Sequence, residues 1–255
     1  MSRYDEVYAE FLRQPLRFWA RAADAVEWVR RPRGVLDDSK PPLLRWFPGG
    51  MLNTCANAVD LHARGPRAAQ PALIYDSPVT GGGRRYSYAE LLDEVARTAG
   101  ALAGLGVEKG DVVLLYLPMI PEAVIAMLAV ARLGAIHSVV FSGCAPSELA
   151  QGIQHAEPKL VLTASCGIEP GWIVPYKPLL DQALAKVSAQ PRHCMVLQRP
   201  EAHAELLPGR DLDWAAELAR AAPVPAVPVG ASEPLYLLYS SGTSGAPKGV
   251  VRDNG

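Results

Sequence analysis

The chain has little of what would mark a metal, redox or secreted protein. Of 255 residues, four are cysteine and five histidine. Cys55, Cys144, Cys166 and Cys194 contain no Cys-x-x-Cys pair, and His62, His137, His155, His193 and His203 form no His-x-x-x-His array. Such scattering supplies neither a zinc cage nor a disulfide framework. His193 and Cys194 are adjacent, but neighbours on a strand face opposite ways, so these residues read as free and mostly structural. An excess of one charge is lacking too. Lys and Arg number 25 against 26 Asp and Glu, a net charge of −1, which argues against nucleic acid as a partner. Long hydrophobic runs are absent. The apolar stretch 123–131 is nine residues, whereas a membrane helix needs about 20, so no membrane partner is expected. The first six residues, Met-Ser-Arg-Tyr-Asp-Glu, are too polar for a secretory signal. A cytoplasmic or equivalent reducing compartment is the expectation.

What is present is an ordinary globular composition, 49% hydrophobic and 20% charged, with room for one large domain or two modest ones. Residues 4–30 repeat apolar positions (Val7, Phe11, Phe18, Ala22, Val26, Val29) mostly at three- and four-residue steps, which predicts helix. A polar, proline-containing connector follows, then Gly49-Gly50 and a helix from Asn53. From residue 63 onward strands alternate with helices. Strands are predicted over 72–75, 112–117, 136–141, 160–164, 194–198 and 235–239. Helices are predicted over 87–104, 121–133, 146–155, 179–187 and 213–221. Ser87-Tyr-Ala-Glu90 opens the first of these helices as a capping box, and Gly81-Gly-Gly-Arg-Arg85 reads as a hairpin turn whose arginines are solvated. The expected fold class is α/β: a helical extension over 1–62, then a largely parallel sheet covered on both faces over 63–255. Met119 and Met127 are expected to fill the core, His137 to be a hydrogen-bonded core residue, and Glu122 to serve its helix dipole.

The most informative stretch is Tyr239-Ser-Ser-Gly-Thr-Ser-Gly-Ala-Pro-Lys-Gly249. It follows an apolar strand and packs glycines, hydroxyls and one lysine together. Glycine backbones permit conformations and approaches that a Cβ forbids, the hydroxyls can donate to phosphoryl oxygens, and Lys248 offers a point charge. A flexible loop of amides at the carboxyl end of a parallel strand suits a polyphosphate. The spacing is not that of a Walker A loop, because Pro247 precedes the lysine and Gly249 follows it.

The string instead resembles the phosphate loop of the acyl-adenylate-forming superfamily, roughly Thr-Ser-Gly-Thr-Thr-Gly-x-Pro-Lys-Gly, with Ser240 and Ser244 in place of threonines. Leu117-Pro-Met-Ile-Pro-Glu-Ala123, Ala131-Arg-Leu-Gly-Ala-Ile-His-Ser-Val-Val-Phe141 and Trp46-Phe-Pro-Gly-Gly-Met-Leu-Asn53 resemble the acetyl-/propionyl-CoA synthetase branch, which also carries an N-terminal extension of this kind. The stretches 163–171, 208–214 and 250–255 are similar to the propionyl side of that branch.

The resemblance implies a ligase that joins a short carboxylate, propionate before acetate, to CoA through an acyl-adenylate, with ATP, CoA and Mg²⁺ as cofactors and small molecules as its only partners. It implies that Ser240, Ser241, Gly242, Thr243, Ser244, Gly245 and Lys248 hold the ATP phosphates, Lys248 being the catalytic residue. It places CoA contacts at Phe141, Ser142 and Gly143 and at Glu169, Pro170, Gly171 and Trp172. Trp172 stands where the family has an arginine, and Phe141-Ser142-Gly143 where it has Phe-Gly-Gly. The family's acyl pocket, adenine loop, ribose-binding aspartate and mobile C-terminal domain all follow the phosphate loop and have no counterpart in these residues. The expectation is therefore a fragment that forms no acyl-CoA alone, with strand 235–239 left unpaired and a disordered tail after Gly245. The alternatives are a non-catalytic nucleotide-binding or regulatory remnant and an acetate–CoA ligase.

Overall fold

Ser2 opens the first helix, α1 (Arg3–Arg13). Its hydroxyl accepts from the Asp5 amide at 3.2 Å, and the Asp5 carboxylate accepts from the Ser2 amide at 2.8 Å. A computed structural model describes residues 2–141, 143–240 and 248–255. In it the single helix expected over 4–30 is broken. Pro15 lacks the N–H that would continue the ladder and instead begins α2 (Pro15–Ala22). The two helices meet through aromatic edges, Phe11 on Phe18 and Trp19, and Trp19 on Trp46, at ring separations of 5.6, 6.4 and 5.8 Å.

The glycine-rich turn does make a hairpin, Pro71–Ser77 against Gly82–Ser87. Ser87 then caps α3 (Tyr88–Gly104), accepting from the Glu90 amide at 3.2 Å while the Glu90 carboxylate accepts from the Ser87 amide at 2.8 Å. The main sheet is built from β1 (Val112–Tyr116), β2 (Ile136–Val139), β3 (Leu160–Ala164), β4 (His193–Leu197), β5 (Asp211–Asp213), β6 (Pro234–Ser240) and β7 (Lys248–Asp253). Their order across the sheet is β5-β4-β3-β1-β2-β6-β7, parallel throughout except for the β6–β7 pair.

Period-two alternation divides the core between two faces. Val113, Leu115, Leu160, Leu162, Ala164 and Met195 point to one side, where α3, α4 (Pro121–Arg132) and Trp214 at the start of α7 (Trp214–Arg220) cover them. Leu114, Tyr116, Val161 and Cys194 point to the other, covered by α5 (Pro146–Ala156) and α6 (Tyr176–Leu184). The sheet covered on both faces is thus the one the sequence pattern predicts.

Four expectations are corrected. β6 is not an edge: β7 pairs with it from Pro234↔Asp253 to Ser240↔Lys248, because Val250, Val251 and their neighbours favour extended backbone. The end of the chain is not a loose tail either. The Asn254 amide donates to the Glu233 carbonyl at 3.1 Å, and the Thr54 hydroxyl donates to Asn254 Oδ1 at 2.7 Å. Met119 is 89% exposed, since it sits between Pro118 and Ile120 in the turn leaving β1 rather than on a strand or helix. His137 is half-buried, its ring tilted against that of Tyr236 at 5.5 Å, but its buried Nδ1 has no hydrogen-bond partner among the described residues. Burial favours the uncharged ring and pushes its pKa down to about 4.

The extension is locked to the sheet through α4. Asn53 Nδ2 donates to the carbonyls of Ala131, Arg132 and Val227 at 3.0, 3.1 and 2.8 Å. Arg132 pairs with Asp60 at 2.7 Å and donates through Nε to the Val224 carbonyl at 2.7 Å. The linker holding Val224 crosses α3 at Gly100, where an added Cβ would stand 1.9 Å from the Ala222 carbonyl oxygen. Gly100→Ala should therefore lower stability by about 1–3 kcal/mol, the cost of overpacking, although alanine is the better helix former by up to about 1 kcal/mol. Urea unfolding of the variant checks the sign.

Candidate functional site

The roots of the loop predicted to bind phosphate stand at the carboxyl edge of the sheet. β6 runs parallel to β2, with Tyr236 opposite His137 and Leu237 opposite Ser138, and delivers the chain to Ser240 at that edge. β7 returns from it, with Lys248 opposite Ser240 and Gly249 opposite Tyr239. Lys248 is exposed at the first position of β7. Ser241, Gly242, Thr243, Ser244 and Gly245 lie outside the described residues, as does Ser142. Ladder pairing therefore brings Ser240 and the predicted catalytic lysine across from one another.

A third element reaches the same root. Nδ1 of His155, in the last turn of α5, lies 2.7 Å from the hydroxyl of Tyr239. Their rings meet edge to face at 5.5 Å. Burial pushes the Tyr239 phenol up from its ordinary value, which keeps it an O–H. Gly249 faces this pair: a Cβ there would come within 3.3 Å of His155 Cε1, Tyr239 Cε1 and Leu237 Cδ1.

The residues predicted to contact CoA fall in two places. Phe141 is 77% exposed in the turn after β2, where the Cys144 amide donates to its carbonyl at 3.1 Å. Glu169, Pro170, Gly171 and Trp172 form the exposed tip of a small hairpin, Gly167–Glu169 against Trp172–Val174, that leaves β3, with Trp172 itself 62% exposed. This tip lines an open cleft of about 610 Å³ together with Pro78 and Val79 of the 71–87 hairpin. Neither Phe141 nor Gly143 lines that cleft.

Sequence reading missed how this cleft continues. Beside it lie two more hollows of about 240 and 360 Å³, between the 71–87 hairpin and the segments leaving β1 and β4. Tyr75, Ile120 and Arg199 line both. Arg84, read as a solvated turn residue, lies 4.1 Å over the Tyr86 ring, is 3.5 Å from Glu94, and lines the larger hollow with Glu122. Its lining carries both signs of charge, Arg84 and Arg199 with Glu122 and Glu201. The signal available in the sequence was positional: Ile120, Glu122 and Arg199 follow the carboxyl ends of parallel strands, where ligands of such sheets sit.

A strand-delivered hairpin with a cation at its root thus stands at the carboxyl edge of a largely parallel α/β sheet, where ligands of such sheets bind. The family model for AMP-binding enzymes matches residues 60–255, and that for the acetyl-coenzyme A synthetase N-terminus matches residues 4–58. The chain belongs to the AMP-binding enzyme family. It is 46% identical to human acyl-CoA synthetase short-chain family member 3, mitochondrial, over all of this chain and 37% of that protein. It is 43% identical to the propionate–CoA ligase of Salmonella typhimurium, over 99% of this chain and 40% of the ligase. Among solved structures, the acetoacetyl-CoA synthetase from Streptomyces lividans superposes with a TM-score of 0.88 at 29% identity, covering all of this chain and 38% of that one. The chain thus spans about two-fifths of the length of these relatives. Among the described residues no helix is long and apolar enough to cross a membrane.

Proposed function

We propose that these residues belong to a short-chain acyl-CoA synthetase of the propionate–CoA ligase type, residues 1–62 forming its N-terminal extension and 63–255 the first part of its adenylating domain. In the first step a carboxylate oxygen attacks the α-phosphorus of ATP and the bond to pyrophosphate breaks. In the second, the CoA sulfur attacks the acyl carbonyl and AMP leaves. The hairpin root carries the reading. It holds Lys248 exposed at the carboxyl edge of the sheet, opposite Ser240, in a chain of the AMP-binding family.

Lys248 and the hydroxyls and amides of the loop from Ser240 to Gly245 neutralise charge on the departing pyrophosphate. Among the described residues no three His, Cys, Asp or Glu side chains converge as a metal cage. A Mg²⁺ would therefore be held by phosphate oxygens and water, as that ion prefers. The CoA moiety is assigned to the exposed apolar surfaces of Phe141 and the 169–172 tip, with Trp172 presenting a ring face in place of a cation.

The test is turnover by an enzyme of the relatives' length carrying this segment. With ATP and CoA, kcat/KM for propionate should exceed that for acetate by at least about tenfold, the lower end of what one methylene gives in an apolar pocket. Coupled AMP formation across a series of carboxylates measures it. Preference for an aromatic or long-chain acid would remove the substrate assignment, and acetate ahead of propionate would make it an acetate–CoA ligase.

A further inference from the structure

Tyr239 and Gly249 are the last ladder pair before Ser240 and Lys248, so whatever holds Tyr239 fixes the position from which the loop departs. The described contact that reaches Tyr239 from outside the hairpin is His155, 84 residues earlier, at 2.7 Å. α5 itself is held firmly beneath, with Leu149 and Ile153 buried in the second core, so its last turn is a fixed point relative to the sheet. Gly249 leaves room for the pair, since an added Cβ there would stand 3.3 Å from His155 Cε1, Leu237 Cδ1 and Tyr239 Cε1.

We propose that His155 and Tyr239 form a positioning clamp that sets the root of the 240–248 loop and through it the affinity for the nucleotide phosphates. The proposal rests on the reading of that loop as the ATP site. Neither residue touches substrate in this scheme. The bond holds the first strand of the hairpin to α5, so the strand ends at Ser240 and Lys248 keep one separation and one direction. Removing the clamp loosens the hairpin at Tyr239, which weakens ATP binding before it affects the chemistry of bound ATP.

The test uses an enzyme of the relatives' length and measures KM for ATP, kcat and the melting temperature. Tyr239→Phe deletes only the hydroxyl and His155→Leu only the imidazole partner. Each should raise KM for ATP by about twofold to tenfold with kcat unchanged, and lower the melting temperature by no more than the loss of one exposed hydrogen bond does. The double variant should lose no more than either single one, because both remove the same bond. His155→Asn, whose amide can still meet the phenol, should recover part of the loss. Additive losses, or an unchanged KM for ATP in Tyr239→Phe, would overturn the clamp. Lys248→Ala in the same assay separates the two ideas: if it cripples adenylation while Tyr239→Phe is silent, the clamp alone fails. If Lys248→Ala is itself silent, the reading of the loop fails and the clamp with it.

Discussion

Lys248→Ala is expected to slow acyl-adenylate formation by about a hundredfold to a thousandfold, the loss of about 2.7–4 kcal/mol seen when one preorganised contact to developing charge is removed. The physical case is the location of the ammonium. It stands exposed on the first residue of β7, facing the strand that carries Ser240 to the sheet's carboxyl edge. Charge builds on the departing pyrophosphate only as the α-phosphorus bond breaks, so the deficit should appear in kcat rather than in KM alone. Pyrophosphate exchange isolates this half-reaction. Thioester formation from preformed acyl-adenylate should be much less affected, since no pyrophosphate leaves in that step. Exchange within a fewfold of the parent would show that Lys248 does not serve the nucleotide.

The second large effect is on stability. Arg132 and Asp60 are 4% and 2% exposed, and their 2.7 Å ion pair ties α4 to the end of the N-terminal extension. Asp60→Ala leaves the guanidinium buried with the Val224 carbonyl as its remaining oxygen partner. Stranding a buried charge in this way costs about 3–5 kcal/mol. Arg132→Met should cost somewhat less, because Asp60 keeps Arg64 at 3.2 Å, a side chain that is largely exposed. The double variant should unfold at higher denaturant than Asp60→Ala alone, as no isolated charge remains. Guanidinium titrations of the three variants measure this. A loss below 1 kcal/mol for Asp60→Ala would mean that water reaches Arg132 in the folded protein.

Local signals carried most of the architecture. The Ser87–Glu90 box, and prolines at the first turn of α4 and α5, mark helix starts through hydrogen-bonding rules that need no tertiary information. The runs at 112–117 and 160–164 read as buried parallel strands because they are apolar on both faces. Pro15 was a visible breaker outweighed by apolar spacing on either side of it. β7 was illegible for a different reason. It is an edge strand with exposed residues on both faces, so its sequence carries no alternation to detect. Met119 was misplaced because residue type suggested burial while position, in a turn, decided exposure. At the candidate site the loop string was legible because its chemistry is contiguous. The contact of His155 with Tyr239, the Asp60–Arg132 pair and the cleft shared by Tyr75, Ile120 and Arg199 were not, since each joins segments far apart in the chain and only the crossovers of the sheet bring them together.

The antiparallel return of β7 also gives the loop a discrete length. Seven residues separate Ser240 from Lys248, and the ladder fixes both ends. Opening the Ser240–Lys248 pair would release two residues at once, giving nine. Each ladder pair that opens or closes changes that length by two residues, so the only stops of the hairpin are whole ladder pairs. An insertion of one residue between positions 240 and 248 cannot be absorbed by sliding either strand, since a one-residue slip turns every side chain of β7 to the opposite face. The extra residue would stay in the loop, and Lys248 would keep its side of the sheet.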